Sequence, residues 1–558
     1  MSSHAVQRQQ ARTWSLAGSP EAKYARLVVA VSVLVILPVF VFGVPSNRDL
    51  SNHFRFALPF YDAIASGNFY PGWLAESNAG YGDPSFRFYP PGLYYPLALF
   101  RLVTGEWYVA TLLTFALISV AGGVGIYFWA RSVLPSSQAM WVGVIYALAP
   151  YHLNQLYQAT MLAEWAAAAI LPFVFAFLER VCARGRRRDI AGLALCYAVL
   201  VLTHLPLTVI GSLAFVVYAL VRLESGRRIQ TLAKLAGAAV LGLCASSVYW
   251  VTMVTEMHWI GLNEIHPDTS VDYRFNFLLS TLSPDNMNVW WMNILALMTL
   301  LLSAPVVLLV RRRVWKDRPQ LRPVLILTAF ALFMALPLSR PIWQLLSPLQ
   351  QTQFPWRWMT VISMGFAILT AAAMPLLDQT EKNLVRVKRI AIIGVMSVAV
   401  VFTLSHVVRE AKFFPRQEFE NTLTAVRGTA SINYWFPIWA SSSPRAMPVA
   451  VEAGDRDVSV DSWTPEQRRF TIAAGKATEA RVRTFYYPHW TALSAQQPLS
   501  TRPDKDGALL ISLPADTVSV DLVFEEPRRS RVSSQVSLAS VMFIGVLALP
   551  LPWRRRRR

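Results

Sequence analysis

Asp49 stands directly after the first long apolar stretch of this 558-residue chain, with His53 four residues on, so both side chains share a face wherever the stretch is helical. A carboxylate there can take a proton from a hydroxyl group. A nearby imidazole can orient it, protonate a leaving group, or hold a phosphate or a metal ion. A competing reading makes Asp49 a helix cap or the ion-pair partner of Arg48. Glu164 lies a few residues inside an otherwise apolar run. An unpaired charge at a bilayer centre costs roughly 2.5–3.5 kcal/mol, so Glu164 faces a wet cavity, snorkels to the surface, or pairs with His152. Arg357, between two tryptophans in TQFPWRW, suits either a phosphate at headgroup depth or plain interfacial anchoring. Arg340 and Arg274 are further phosphate candidates.

Long apolar elements must position these groups. Hydrophobic residues make up 54% of the chain and charged residues 15%, too apolar a balance for a soluble protein of this length. A bilayer core of about 30 Å needs roughly 20 apolar residues per helix. Such runs lie near 25–44, 107–129, 139–155, 160–179, 189–204, 207–222, 232–254, 292–310, 323–339, 357–377, 390–408 and 535–552, which predicts about 12 membrane helices. Bases gather in alternate gaps, at Arg8 to Arg26, Arg131, Arg180 to Arg188, Arg222 to Lys234, Arg311 to Arg322, Lys382 to Arg389 and Arg554 to Arg558. By the positive-inside rule these sides and both termini are cytoplasmic. The formal charge of +19 is therefore topological, with no nucleic-acid signature beside it. Residues 1–24 form a cytoplasmic leader, and the first run is a retained signal anchor. Cys182, Cys196 and Cys244 lie in or beside predicted helices, so no disulfide is expected.

Three outer segments remain. The first, 45–106, is long and aromatic, the mark of a functional loop. Phe54, Leu58, Tyr61 and Ala65 recur at helical spacing before Gly67, which predicts an amphipathic helix on the outer leaflet. Trp73, Tyr81, Tyr89 and Tyr94 suit contact with a sugar face or a lipid chain, or an interfacial aromatic belt. The second, 255–291, concentrates acids and imidazoles, His258 and His266 among them, and joins the same cavity as candidate sugar or lipid contacts. The third, 409–534, carries the alternating runs DVSVDSW, RRFTIAA, ARVRTFYYPHW, ALLISLP and VSVDLVF, a β-sandwich pattern ahead of a last helix and basic tail at 535–558.

DLSNHFRF, AGYGDPSFRFYPPGLYYPLALF, APYHLNQLYQATMLAEWAAAAILPF, LVLTHLP, TQFPWRW and FYYPHW together resemble bacterial multi-pass proteins catalogued as related to 6-pyruvoyl-tetrahydropterin synthase. No soluble pterin-synthase pattern accompanies them. The group is similar to the C-type membrane glycosyltransferases, over about residues 45 to 490. That resemblance implies a glycosyltransferase-like membrane domain at 25–408 and an enzyme taking a sugar from a polyprenyl-phosphate carrier, with an acid of the first outer loop at its centre. Asp49 is the matching position. Similar transferases often carry two acids there, whereas this chain reads Arg48-Asp49-Leu50-Ser51.

The expectation is hexosyl or pentosyl transfer at the outer face of a bacterial plasma (inner) membrane. The donor is a polyprenyl-phosphate sugar and the acceptor a glycan, lipid or protein, with membrane lipid as the other partner. Asp49, His53 and Glu164 are the catalytic candidates. No cofactor is required by the sequence; a divalent cation, magnesium or manganese, is compatible with the chemistry, with Asp49 its one candidate ligand. Two alternatives stay open, a transporter or flippase of lipid-linked sugars and a non-catalytic membrane scaffold with an outer binding domain.

Overall fold

Proline decides where the apolar runs stay whole. It lacks the backbone N–H that an uninterrupted helix needs and clashes with the preceding turn. In the computed structural model, which describes residues 20–47, 49–223, 225–261, 271–283, 285–377, 383–428, 435–441 and 445–550, seven helices are long and apolar enough to cross a membrane. They are Trp107–Val133, Leu162–Ala183, Leu205–Arg222, Arg228–Ala245, Pro355–Leu377, Arg389–Val407 and Arg528–Ala548. An eighth arises if Pro319–Ala335 and Pro337–Leu345, bent by 88° at Pro337, count as one.

The expected set of about 12 uninterrupted spans is corrected accordingly. The run at 25–44 divides into Pro20–Val35 and Leu37–Phe42 with Pro38 in the second first turn. That at 139–155 divides at Ala149 before Pro150, and that at 292–310 divides before Pro305. Arg187–Thr203 stops at His204, two residues before Pro206. At 232–254 no proline is involved; Ser246 Oγ bonds back to the carbonyls of Gly242 (3.0 Å) and Leu243 (3.2 Å), and a new helix, Ser247–Glu256, starts there.

Burial ranks the helices from centre to rim. Pro355–Leu377 is 83% buried along its apolar window, whereas Arg389–Val407 and Arg528–Ala548 are 17% buried and present their sides outward. Trp107–Val133 and Leu162–Ala183 approach closely at Gly122, where a Cβ would stand 3.4 Å from that of Ala169.

The amphipathic helix of the first outer segment forms at Leu50–Ala65 and ends before Gly67, whose φ of +93° suits glycine. Its apolar side does not lie on lipid: Phe54 packs edge-on to Trp107 (5.8 Å) and Phe419 (5.1 Å), and Phe60 packs on Phe86 (4.7 Å). Phe419 belongs to Arg416–Gly428, a helix rather than the start of the expected sandwich.

Val44–Pro45 and Phe413–Phe414 pair as a short antiparallel ribbon, and the strands of the sandwich begin at Val451. One antiparallel sheet runs in the order Val451–Glu452, Thr478–Phe485, Ala508–Leu513, Thr501–Pro503. The other runs Val458–Trp463, Gln467–Ile472, Val518–Phe524, Trp490–Ser494, Gln497–Leu499. Alternation sends Phe470, Ile472, Val520 and Leu522 inward to meet Ala480, Val482, Leu509 and Ile511 of the other sheet in one core, the sandwich arrangement.

Arg87, 1% exposed, joins these parts. Its Nε and Nη2 donate to Glu256 (2.6 and 2.8 Å), and its Nη1 and Nη2 donate to Glu526 (2.5 and 3.1 Å). Glu256 also accepts from Tyr487 Oη (2.8 Å) and Arg529 Nη2 (3.3 Å), with His489 Nε2 at 3.0 Å. A Cβ at Gly72 would press on both Glu526 Oε1 and Arg87 Nη1, so a larger residue there would shift the ends of these two side chains.

Burial disfavours the ionised Glu256, but the hydrogen bonds and charges of Arg87 and His489 outweigh it and hold the carboxyl below its ordinary value of 4.5. A depressed carboxyl stabilises the fold fully above about pH 4.5, and that contribution is lost as pH falls through the lower folded value. Glu256→Ala is expected to cost roughly 3–5 kcal/mol by leaving Arg87 short of a partner. In melting of the purified protein, Glu256→Gln should show a shallower acid limb than wild type below about pH 4.5.

Candidate active site

Six of the residues selected from sequence, Asp49, His53, Tyr89, Tyr94, Glu164 and Arg357, gather near the start of Leu162–Ala183. Thr160, just before it, is fully buried with φ +49°, a left-handed backbone that a β-branched residue adopts only under strain. Its hydroxyl donates to the Asn47 carbonyl and accepts the Asp49 backbone N–H (3.0 Å). The peptide carrying Asp49 is thereby pinned to the bundle.

Asp49 sits at the first position before Leu50–Ala65, half-buried, and its side chain makes no capping bond to that helix, so the cap alternative does not hold. Asn52 Nδ2 donates to Asp49 Oδ1 (3.3 Å), and Asn52 Oδ1 accepts from Arg55 Nη1 (3.2 Å). One amide thus lies between a carboxylate and a guanidinium. Arg48 lies outside the described residues, and so does the ion pair expected with it.

His53, 6% exposed, is held at both ring nitrogens. Its Nε2 accepts the Leu162 backbone N–H (3.2 Å), so this nitrogen carries no proton; Nδ1 is 3.2 Å from Tyr94 Oη and donates to it. Burial pushes the imidazole down to about 4. His53 therefore supports the site as a neutral ring.

Glu164 and Arg357, assigned separate roles from sequence, are partners: Arg357 Nε donates to Glu164 Oε2 (2.8 Å), and both are buried. Tyr151 Oη donates to the other carboxylate oxygen (2.6 Å). The guanidinium also lies over the Phe354 ring (4.7 Å). Neither snorkelling nor a pair with His152 describes Glu164; His152 Nε2 instead accepts from Trp165 Nε1 (3.0 Å).

Tyr89 joins the two halves of this region. Burial and then the Asp49 carboxylate push its hydroxyl upward, while a hydrogen bond with Tyr94 and the Arg357 charge pull it down, which puts Asp49 and Arg357 within electrostatic reach of one phenol. Its ring stacks on Phe56 (5.0 Å). His204, capping Leu205–Arg222 by accepting the Leu207 N–H (3.3 Å), lies within electrostatic reach of Arg357.

Apart from Tyr94, whose hydroxyl meets His53 Nδ1, the remaining candidates lie elsewhere. Trp73 and Tyr81, expected as sugar or lipid contacts, are 1% exposed between the first outer segment and the sandwich, with Trp73 against Trp490 (5.6 Å) and Tyr81 stacked on Phe485 (5.0 Å). Tyr94 is fully buried against Phe86 (5.2 Å). Packing consumes these rings. Arg274 is exposed and bonded to Asp272 in its own turn (2.5 Å), and Arg340 donates to the Arg274 carbonyl (3.1 Å). His258 is exposed beside Trp259. His266 lies outside the described residues.

Sequence reasoning passed over Arg55, three residues from Asn52 on a helical face, and Tyr89's position between charges. Among the described residues no group of three His, Cys, Asp or Glu side chains is arranged to hold a metal ion. Asn52 turns its amide N–H, a donor, toward the Asp49 carboxylate, where a hard divalent cation would take an oxygen.

Because His53 is neutral in the fold and takes up a proton only near pH 4, the unfolded chain binds more protons between about 6.5 and 4. Its contribution is full above pH 6.5 and falls across that window. His53→Asn should flatten this part of the stability profile, read as Tm against pH for purified protein.

Partial superpositions match the chain to solved structures at low identity. The arabinofuranosyltransferase AftD from Mycobacteria is 17% identical with a TM-score of 0.43, covering 69% of this chain and 27% of its own. ArnT from Cupriavidus metallidurans is 17% identical with a TM-score of 0.40, covering 73% and 74%. The arabinosyltransferase EmbB from Mycobacterium smegmatis is 13% identical with a TM-score of 0.36, covering 94% and 65%. The chain thus spans about a quarter of the AftD length. No curated protein sequence matches it significantly. A family model described as a 6-pyruvoyl-tetrahydropterin synthase related domain, a membrane protein, matches residues 86–408, more than half of the chain, and to that family of multi-pass membrane proteins this chain belongs.

Proposed function

We propose that the chain is a membrane glycosyltransferase that moves a hexosyl or pentosyl group from a polyprenyl-phosphate carrier to an extracytoplasmic hydroxyl. The observation that carries this reading is Asp49: a half-buried carboxylate on a pinned peptide, within electrostatic reach of Tyr89 and linked through Asn52 to Arg55.

In the reaction Asp49 takes the proton of the acceptor hydroxyl as that oxygen bonds to the anomeric carbon. The bond from this carbon to the carrier's phosphate oxygen breaks, and polyprenyl phosphate leaves with the electron pair. The departing phosphate needs a cation. Arg357 is committed to Glu164, so Arg55 takes this role here; its buried Nε has no hydrogen-bond partner among the described residues. Glu164 and Arg357 then position the Tyr89 side of the site instead of touching substrate.

The charge pattern supports placing the Asp49 end and the segment 409–534, which carries the sandwich at 451–524, outside a bacterial plasma membrane, with both chain ends inside. Twelve crossings follow if the bent pair, the three proline-divided runs and Arg187–Thr203 each complete one span beside the seven long helices.

Membranes containing the protein, given radiolabelled polyprenyl-phosphate sugars, should move label off the carrier. Asp49→Asn should lower this about 10²–10⁴-fold at unchanged protein level, and Arg55→Met about 10–100-fold. Full transfer by Asp49→Asn removes Asp49 from the mechanism. A transporter would carry intact lipid-linked sugar across without releasing polyprenyl phosphate.

A further inference from the structure

Arg468 occupies an inward position of Gln467–Ile472, where alternation with Phe470 and Ile472 calls for an apolar residue. It is 0% exposed. One nitrogen, Nη1, donates to the Arg483 carbonyl (3.1 Å), while Nε and Nη2 have no acceptor among the described residues. The guanidinium is sandwiched by rings, 4.4 Å from the Trp463 centroid and 4.8 Å from that of Trp490.

Its neighbours are orphaned in the same way. Trp490 Nε1 is buried without an acceptor, as are Thr484 Oγ1, next in sequence to Arg483, and Trp73 Nε1, whose ring meets Trp490 edge-on at 5.6 Å. Arg483 Nε is a further one. Every one of these groups can donate, and two belong to cations. Burial pushes Arg468 down to about 9, with Arg483 adding to the effect and the exposed carboxylate of Glu76 opposing it. No buried carboxylate forms an ion pair with Arg468 among the described residues. A buried guanidinium with unpaired donors is costly unless an acceptor is supplied.

We propose that the end of the sandwich facing residues 73–83 of the first outer segment holds a small inorganic anion of halide size, bound by Arg468 with Trp490 and Thr484. Arg468 is sealed from solvent, which suits an ion and leaves no approach for a macromolecule. Because Trp73 forms one wall, the ion would bind the first outer segment to the sandwich. The other source of an acceptor is the chain itself, through a swing of Glu76.

The test uses the full chain purified in detergent in sodium gluconate, with gluconate replaced by bromide at constant ionic strength. Wild type should show a saturable rise in Tm of about 2–4 °C once bromide exceeds its dissociation constant several-fold. The rise should persist in Glu76→Gln and vanish in Arg468→Met. Trp490→Phe, which keeps the arginine, should raise the half-saturating bromide concentration about tenfold. A flat wild-type Tm overturns the site. So does a rise retained in Arg468→Met, unchanged half-saturation in Trp490→Phe, or a rise that appears only in Glu76→Gln, which would give the donors to Glu76.

Discussion

The ion pair of Arg87 with Glu256 is the interaction on which the arrangement of parts depends. It brings the first outer segment, the end of a bundle helix, the last strand's exit at Glu526 and the start of the final helix at Arg529 to one buried point. Two charges in such a place are tolerable only with nearly every donor and acceptor satisfied, and the geometry meets that demand through Glu526, Tyr487 and His489. The pair ties register to charge, because both ions are satisfied where loop, sandwich and helix meet.

A second buried pair, Glu164 with Arg357, orders the region around Asp49. It lies at the start of Leu162–Ala183, whose adjoining residues also grip the first outer segment through Thr160 and Leu162. The result is a graded site. Neutral His53 and the Glu164–Arg357 pair are buried, whereas Asp49 stands half-buried at the edge. This arrangement places the strain, at Thr160, next to the half-buried carboxylate and the stabilising contacts behind it.

The long aromatic loop has a structural use. Trp73 and Tyr81 are buried against Trp490 and Phe485, and Phe86 and Tyr94 fill the space above Leu50–Ala65. Large rings bury much area at low entropic cost, so they suit a segment with little regular structure that must hold two domains together. Tyr89, half-buried between charges, is where this scaffold turns toward the site.

Apolar run lengths and the alternating strings of residues 458–524 were enough to show a polytopic helical membrane protein with a sandwich before the last helix, because periodicity and hydrophobicity are local properties. They located Leu50–Ala65 and singled out Asp49, Glu164 and Arg357. Local pattern did not show that prolines 38, 150 and 305 divide three runs, since a hydropathy window averages over a single missing N–H. Nor did it pair Glu164 with Arg357 or Arg87 with Glu256, which lie 193 and 169 residues apart. A charge announces in sequence only that it needs a partner. Which partner it finds is decided by packing, because the cost of burying it depends on the few ångströms between two side chains and on nothing either segment encodes alone.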